Sequence, residues 1–485
     1  MKKIGIARMA YELEFKLSAN FTFQTSHVYT VSNKVYNNLF PKPKPEPLPD
    51  EMFGVKIPKE KEVEESQFGH LIIDSTFDLE PYDSLLEGSA KIRPQLLVIH
   101  GIMTFLTNKV FIIFQSPQSI HSVVEWHIVS NTKPKKFVAD KVNYITDLEK
   151  ILLTIANSND EKKILIFTLF ERWRKALHFD VESEESFLYI DEAVLAYIHI
   201  LEVLADEYKA ELNKSIKIKR NELINEVIEC VNNSSDRNLK KINSLLNQIN
   251  SNQVTLKSKI TQMLIEFGLD NPKSDAIVSR YIEHRNAIAH GRKNLYQDKV
   301  VYPLKPFFSF IKDIDENTAA IKVLSAKTIS SYLDLGAWNT EWELVLFFEP
   351  THLALVKDFI EKEKYKTISG SDFLNGIIDG ITPETLAYYC IKKRFKVKEL
   401  ELALLTTIIS AKATKKNFQI LFNAAVLLSD SQNTVLADKC REIIQTVHEK
   451  KWGFYSNIRD IIKAFEYHNI TLEWFGQWLT NRAKR

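Results

Sequence analysis

The chain has 485 residues, 45% of them hydrophobic and 11% aromatic, with a formal net charge of +2. That length implies roughly two to four folding units, and the composition excludes a disordered chain. A charge so near neutrality excludes a polycation but leaves room for a local basic patch.

The first fifteen residues are basic without a sustained apolar run, so they make a poor signal peptide. No segment approaches the roughly 18 uninterrupted apolar residues of a membrane span, and no membrane association is expected. The three cysteines, Cys230, Cys390 and Cys440, lie far apart and form no CxxC pair, which predicts a reducing, cytoplasmic setting.

Alternating polar and apolar residues over 8–35 predict strands. Prolines at 41, 43, 45, 47 and 49 then predict an extended, exposed loop, with Phe40 and Phe53 anchoring its ends. Strand-like pieces follow in HLIIDSTFDLE and KVFIIFQS, and KIRPQLLVIHGIMTFLT between them reads as one helix or a helix and a turn. His100 in that segment is expected as a packed local hydrogen-bonder.

From about 160 the pattern turns helical. DEKKILIFTLFERWRKAL carries an apolar stripe. After the polar stretch HFDVESEESF, residues 188–212 repeat Val194, Ile198, Leu201 and Leu204 at helical spacing. Further helices are expected near 220–230 and 236–249, over 255–267 before Gly268, and from Lys273 to His290. Prolines 303 and 306 argue against a regular helix there, and an interruption is expected near Pro350. Beyond 383 the chain reads as short helices at 383–393, 397–410, 415–429, 433–449, 453–467 and 471–482, with Trp452, Trp474 and Trp478 as packing residues. The basic stretches 214–222, 392–400 and 412–418 read as solvated helix ends or RNA-backbone contacts, without the interleaved aromatics of a stacking platform.

The expected fold class is therefore multidomain α+β. A mixed β-rich domain covers 1–157, a central all-helical domain with an extension covers 158–368, and a helical bundle covers 369–485. No P-loop, H-E-x-x-H or dinucleotide fingerprint is present, so no metal or cofactor is expected.

The chemistry concentrates in YIEHRNAIAHGRK, residues 281–293. On a helix Asn286 and His290 share a face, with Arg285 offset from His290 by about 140°. Gly291 suits the residue after a helix C-cap. Histidine is suited to proton transfer near neutral pH, and arginine to bidentate phosphate binding. His284 lies beside them, and Arg280, Arg292 and Lys293 add positive potential toward RNA. Arginine and histidine without a carboxylate cluster suit metal-independent RNA cleavage: the ribose 2′-OH attacks the adjacent phosphorus, histidine moves a proton, and arginine stabilises the phosphoryl oxygens. The same residues also fit a helix-end capping network, because cations are favoured there for dipole reasons alone.

RNAIAHG, Arg285–Gly291, resembles the R-N-x-x-x-H signature of the HEPN superfamily. AYIHILEVLADEY, residues 196–208, resembles that family's first long helix, and by this match Glu202 is a candidate to contact the arginine–asparagine cluster. The resemblance covers about residues 188–295. It implies an all-helical nuclease domain, a metal-independent endoribonuclease with Arg285, Asn286 and His290 as catalytic residues, and a homodimer that brings two copies of the motif into one cleft. Among subgroups the chain resembles the ApeA-like HEPN proteins of bacterial phage defence, which place a β-containing region before the helical domain. That resemblance implies abortive infection, a toxin-like action on RNA and a phage-derived trigger sensed by the N-terminal region. The alternative is a non-catalytic RNA-binding or protein-interaction scaffold that keeps an Arg/His motif for structure.

Overall fold

The structure is a computed structural model. It describes residues 3–40, 67–80, 84–111, 118–123, 134–186, 189–232, 242, 254–291, 294–296, 299–301, 318–349, 351–452, 465 and 470–483. The chain divides into two compact units. The first comprises Met1–Leu204 with Ala326–Trp338, and the second Ala205–Ser325 with Asn339–Arg485.

The first unit begins with strands β1 (Lys3–Glu12), β2 (Leu17–Phe23) and β3 (Ser26–Val31), helix α1 (Asn33–Leu39) and strand β4 (His70–Leu79). Helices α2 (Leu85–Ala90) and α3 (Arg93–Thr107) follow, then β5 (Gln118–Val123), β6 (Lys136–Ala139) and β7 (Val142–Asn143). The seven strands form one sheet in the order β5-β1-β4-β3-β2-β6-β7, with antiparallel pairing throughout. Period-two alternation turns one face of each strand inward, so Leu17, Ala19, Phe21 and Phe23 of β2 are all buried.

A charged pair fixes the register at the sheet's centre. Arg8 stands opposite Asp74 and grips it bidentately at 2.7 and 2.8 Å, while the Tyr29 hydroxyl donates to the same carboxylate at 3.0 Å. The expected strands over 8–35 end earlier, because 33–39 form α1. Phe40 is buried beside Ala10 and Ile72, as an anchor should be, whereas Phe53 and the five prolines lie outside the described residues. Of the strand expected in KVFIIFQS, residues 109–111 take no strand conformation and the rest lies outside the described residues.

The helical part of this unit comprises α4 (Ile145–Asn157), α5 (Asp160–Ser186) and most of α6 (Ile190–Asp206). The backbones of α3 and α5 approach so closely at Gly101 that a Cβ there would stand 2.8 Å from Phe170 Cβ, which accounts for a glycine inside a helix. Phe105, Trp173 and Trp338 meet ring to ring with centroids 5.2 to 6.1 Å apart, and Trp338 Nε1 donates to the Phe105 carbonyl. α5 continues through the polar stretch HFDVESEES. It runs to Ser186, and along it Asp180 is buried and accepts from the Tyr197 hydroxyl at 3.2 Å.

His100 is fully buried, with its ring edge-on to Tyr11 at 4.8 Å. It packs as expected, but among the described residues neither ring nitrogen has a hydrogen-bond partner. Burial, reinforced by Arg174, drives its pKa down to about 3. An unfolded histidine takes up its proton near about 6.5. Between these values the unfolded chain binds more protons than the folded one, so stability is intact above about 6.5 and is lost as the pH falls toward 3. The urea midpoint should therefore drop between pH 7 and pH 5, and the drop should shrink in His100→Leu. Equal drops in both proteins would contradict this account.

The second unit opens with α7 (Lys209–Asn232), α8 (Leu256–Glu266) and α9 (Pro272–Ala289). The segment expected as one helix over 188–212 is interrupted by a turn at residues 207–208, and the helix expected at 220–230 is the later part of α7. The helix expected at 236–249 lies outside the described residues apart from a single helical residue at 242. A two-stranded ribbon, β8 (Asn294–Tyr296) and β9 (Lys299–Val301), follows α9.

Helix α10 (Ala319–Tyr332) contributes to both units, and α11 (Asn339–Phe348) and α12 (Leu353–Glu361) follow. Pro350 itself lies outside the described residues. The C-terminal bundle comprises α13 (Gly370–Leu374), α14 (Pro383–Ile391), α15 (Val397–Ser410), α16 (Phe418–Leu428), α17 (Thr434–Glu449) and α18 (Glu473–Ala483). Phe359, Phe373, Leu404, Leu421 and Ile444 form its core, and Trp452, Trp474 and Trp478 pack against it. The helix expected at 453–467 lies outside the described residues apart from Phe465. Cys390 and Cys440 are buried free thiols pushed up to about 12 by desolvation. Among the described residues no helix is long and apolar enough to cross a membrane.

Candidate functional site

The candidate site is built at the C-terminal end of α9. The helix starts where NPKS places all its signals together. The Asn271 side chain accepts from the Lys273 and Ser274 backbone N–H groups, Ser274 Oγ accepts from the Asn271 N–H, and Pro272 occupies the first helical position. Ser274, Ile277, Val278 and Tyr281 recur at three- and four-residue spacing and are buried, which sets the inward face.

Two cations moor the first part of the helix within its unit. Arg280 holds Glu349 with both Nη atoms, at 2.6 and 3.0 Å, and the Glu349 side chain is fully buried. Lys273 Nζ donates to the Leu346 carbonyl at 2.7 Å, and burial lowers its pKa against the opposing pull of Glu349 and Glu384. The guanidinium of Arg280, expected among the RNA contacts, thus faces a buried carboxylate. It also lies over the Tyr281 ring, 5.2 Å from the centroid.

The last turns of α9 turn outward. Arg285 is half-buried, while Asn286 and His290 are exposed. Arg285 Nη1 donates to Asn286 Oδ1 at 3.4 Å, so the cation and the amide are neighbours on the surface. His290 is the C-cap, and its backbone N–H donates to the Asn286 carbonyl at 3.1 Å. The imidazole is therefore set one turn beyond the amide, at the chain's exit from the helix. His284 turns back toward the unit's interior, edge-on to Tyr281 at 5.6 Å.

Gly291 ends the helix in the left-handed region at φ +59°, and its N–H donates to the Ile288 carbonyl at 2.9 Å. Among the described residues, no atom beyond its chain neighbours lies within 4 Å of where its Cβ would be, so the cost of a side chain there is conformational. Gly291→Ala should cost about 1 kcal/mol, read as a lower urea midpoint. An unchanged midpoint would show that the φ requirement is not real.

Arg292 and Lys293 lie outside the described residues. Glu202 belongs to the first unit, where its carboxylate stands 4.0 Å from His199 Nε2. Sequence reasoning missed Glu349 altogether. It lies 69 residues from Arg280, and only a carboxylate just after an apolar helix hinted at it.

The stretch that carries this helix end matches the HEPN domains, a nuclease-associated family. The family model described as RiboL-PSP-HEPN matches residues 178–317, and the chain contains such a domain there. The matched interval includes Glu202, Arg285, Asn286 and His290. No curated protein and no solved structure matches the chain.

Proposed function

We propose that the protein is a metal-independent endoribonuclease acting through the end of α9. One observation carries this reading: Arg285, Asn286 and His290 stand together at a half-buried to exposed helix end inside the interval that matches the HEPN model.

Arg285, braced by Asn286, binds the scissile phosphate and stabilises charge on its non-bridging oxygens. His290 takes the proton of the ribose 2′-OH as that oxygen attacks the adjacent phosphorus, and a proton is returned to the departing 5′-oxygen. The bond to the 5′-oxygen breaks, leaving a 2′,3′-cyclic phosphate and a 5′-hydroxyl. Arg292 and Lys293 hold neighbouring phosphates. Arg280 positions the helix through Glu349, and His284 supports it from the Tyr281 side.

A second copy of the chain supplies a second Arg285 and His290 to the same cleft. The anionic substrate between them relieves the repulsion of paired arginines. In this reading the protein is an ApeA-like defence nuclease that causes abortive infection in bacteria. Region 1–157 serves as the sensor of a phage-derived trigger, 158–368 as the nuclease part and 369–485 as a helical support.

The experiment is a substrate substitution. Once a cut site is mapped, an RNA carrying a single 2′-deoxy nucleotide on the 5′ side of that bond should resist cleavage there while neighbouring sites are still cut. Undiminished cleavage at the deoxy position would overturn the mechanism, because no internal nucleophile remains.

A further inference from the structure

The first unit carries a groove of about 550 Å³ that the nuclease reading leaves unused. That volume lies within the range of about 300–1,000 Å³ typical of small-molecule sites. Its walls are α5, the first turn and a half of α3, and the β2–β3 turn.

The α5 wall is the informative one. Ile166, Leu169, Phe170, Trp173 and Leu177 are buried and form the helix's core face. Ile164, Phe167, Thr168, Glu171, Arg172 and Lys175 line the groove, and their three- and one-residue steps place them on the opposite face. This face presents Ile164 at 65% exposure and Phe167 one turn further along, both lining the groove. Phe167 meets Phe23 edge to face, with centroids 6.4 Å apart, so aromatic carbon lines this part of the groove.

The polar lining falls into spent groups and waiting ones. Gln95 donates to the Phe23 carbonyl and to Ser26 Oγ, and Thr168 Oγ1 donates to the Ile164 carbonyl. Glu171 is held bidentately by Arg174 at 2.9 and 3.0 Å. Among the described residues, however, Lys175 pairs with no carboxylate, and Arg172 Nε is shielded from solvent with no acceptor. These two cations stand one turn apart at one end of the apolar strip.

We propose that this groove binds a small organic phosphate. Its flat apolar body lies against Phe23, Phe167 and Ile164, and its phosphate is held by Arg172 and Lys175. Two adjacent cations favour a dianion over a carboxylate. The site belongs to the first unit and is independent of Arg285 and His290.

The test uses 1-naphthyl phosphate as probe, titrated calorimetrically into the full chain. Saturable binding at one site per chain is expected. Arg172→Gln, Lys175→Gln and Ile164→Glu should each weaken it about tenfold or more, whereas His290→Ala should bind as the wild type does. Ile164 and Lys175 are exposed, so their variants keep the fold, and far-UV circular dichroism verifies this if Arg172→Gln does not. 1-Naphthol and inorganic phosphate should each bind about tenfold more weakly than the probe, since each offers only half of the complement. No saturable binding at millimolar probe, equal affinity in the folded variants, or inorganic phosphate matching the probe would each overturn the proposal.

Discussion

Arg285→Ala and His290→Ala are each expected to lower RNA cleavage about 10²- to 10⁴-fold while leaving the urea midpoint near the wild-type value. The two halves of that expectation have separate causes. Loss of a positioned proton carrier or of a charge-stabilising donor at the phosphoryl oxygens removes interactions that matter only in the transition state. Stability should survive because neither side chain belongs to the core: Arg285 is half-buried and His290 exposed, while the buried face of α9 is Ser274, Ile277, Val278 and Tyr281. Asn286→Ala should cost less, since its contact with Arg285 at 3.4 Å orients rather than replaces the cation. A variant that loses activity together with stability would point to the helix-capping role instead. Parallel activity assays and urea titrations of the three variants distinguish the two.

The largest stability effect is expected away from the proposed chemistry. Glu349→Ala should destabilise the protein by about 3–5 kcal/mol, because it leaves the Arg280 guanidinium partly buried without its carboxylate. The neighbouring Lys273, also desolvated, would lose one of the two carboxylates that favour its charged form. The double substitution Arg280→Met with Glu349→Leu should recover most of the loss, since two apolar side chains in that space carry no desolvation penalty. Denaturant titrations of the two single variants and the double variant measure the coupling. Additive losses would show that the pair is energetically independent. Cleavage by Glu349→Ala should fall only as far as the folded fraction falls, which separates a residue that moors the helix from one that touches RNA.

Local signals carried much of this structure, and long-range ones did not. The ends of α9 could be read directly, because Asn271, Pro272 and Ser274 at one end and Gly291 at the other are each the residue that its backbone position favours. The β-containing N-terminal part, the helical middle and the C-terminal bundle followed from periodicity in the same way. The continuation of α5 through HFDVESEES could not be read from its polar run, and the meeting of the buried acceptor Asp180 with its donor Tyr197 is not visible there. The turn at residues 207–208 carries neither glycine nor proline to announce it. At the site, Arg285, Asn286 and His290 were visible because six consecutive residues hold them. The occupation of Arg280 by Glu349 was not, because pairing across 69 residues leaves no local trace. The groove leaves little trace in the sequence for the opposite reason: Ile164 and Phe167 are too few to stand out beside the core face of α5.

In the proposed mechanism the end of α9 cuts RNA by internal attack of the 2′-hydroxyl. The most direct measurement maps RNA ends bearing a 2′,3′-cyclic phosphate in phage-challenged bacterial cells that express the wild type, Arg285→Ala or His290→Ala. New cyclic-phosphate ends at discrete positions are predicted with the wild type and should be missing with both variants at equal protein levels. The same set of ends in all three would contradict the assignment of Arg285 and His290 as the residues that cleave.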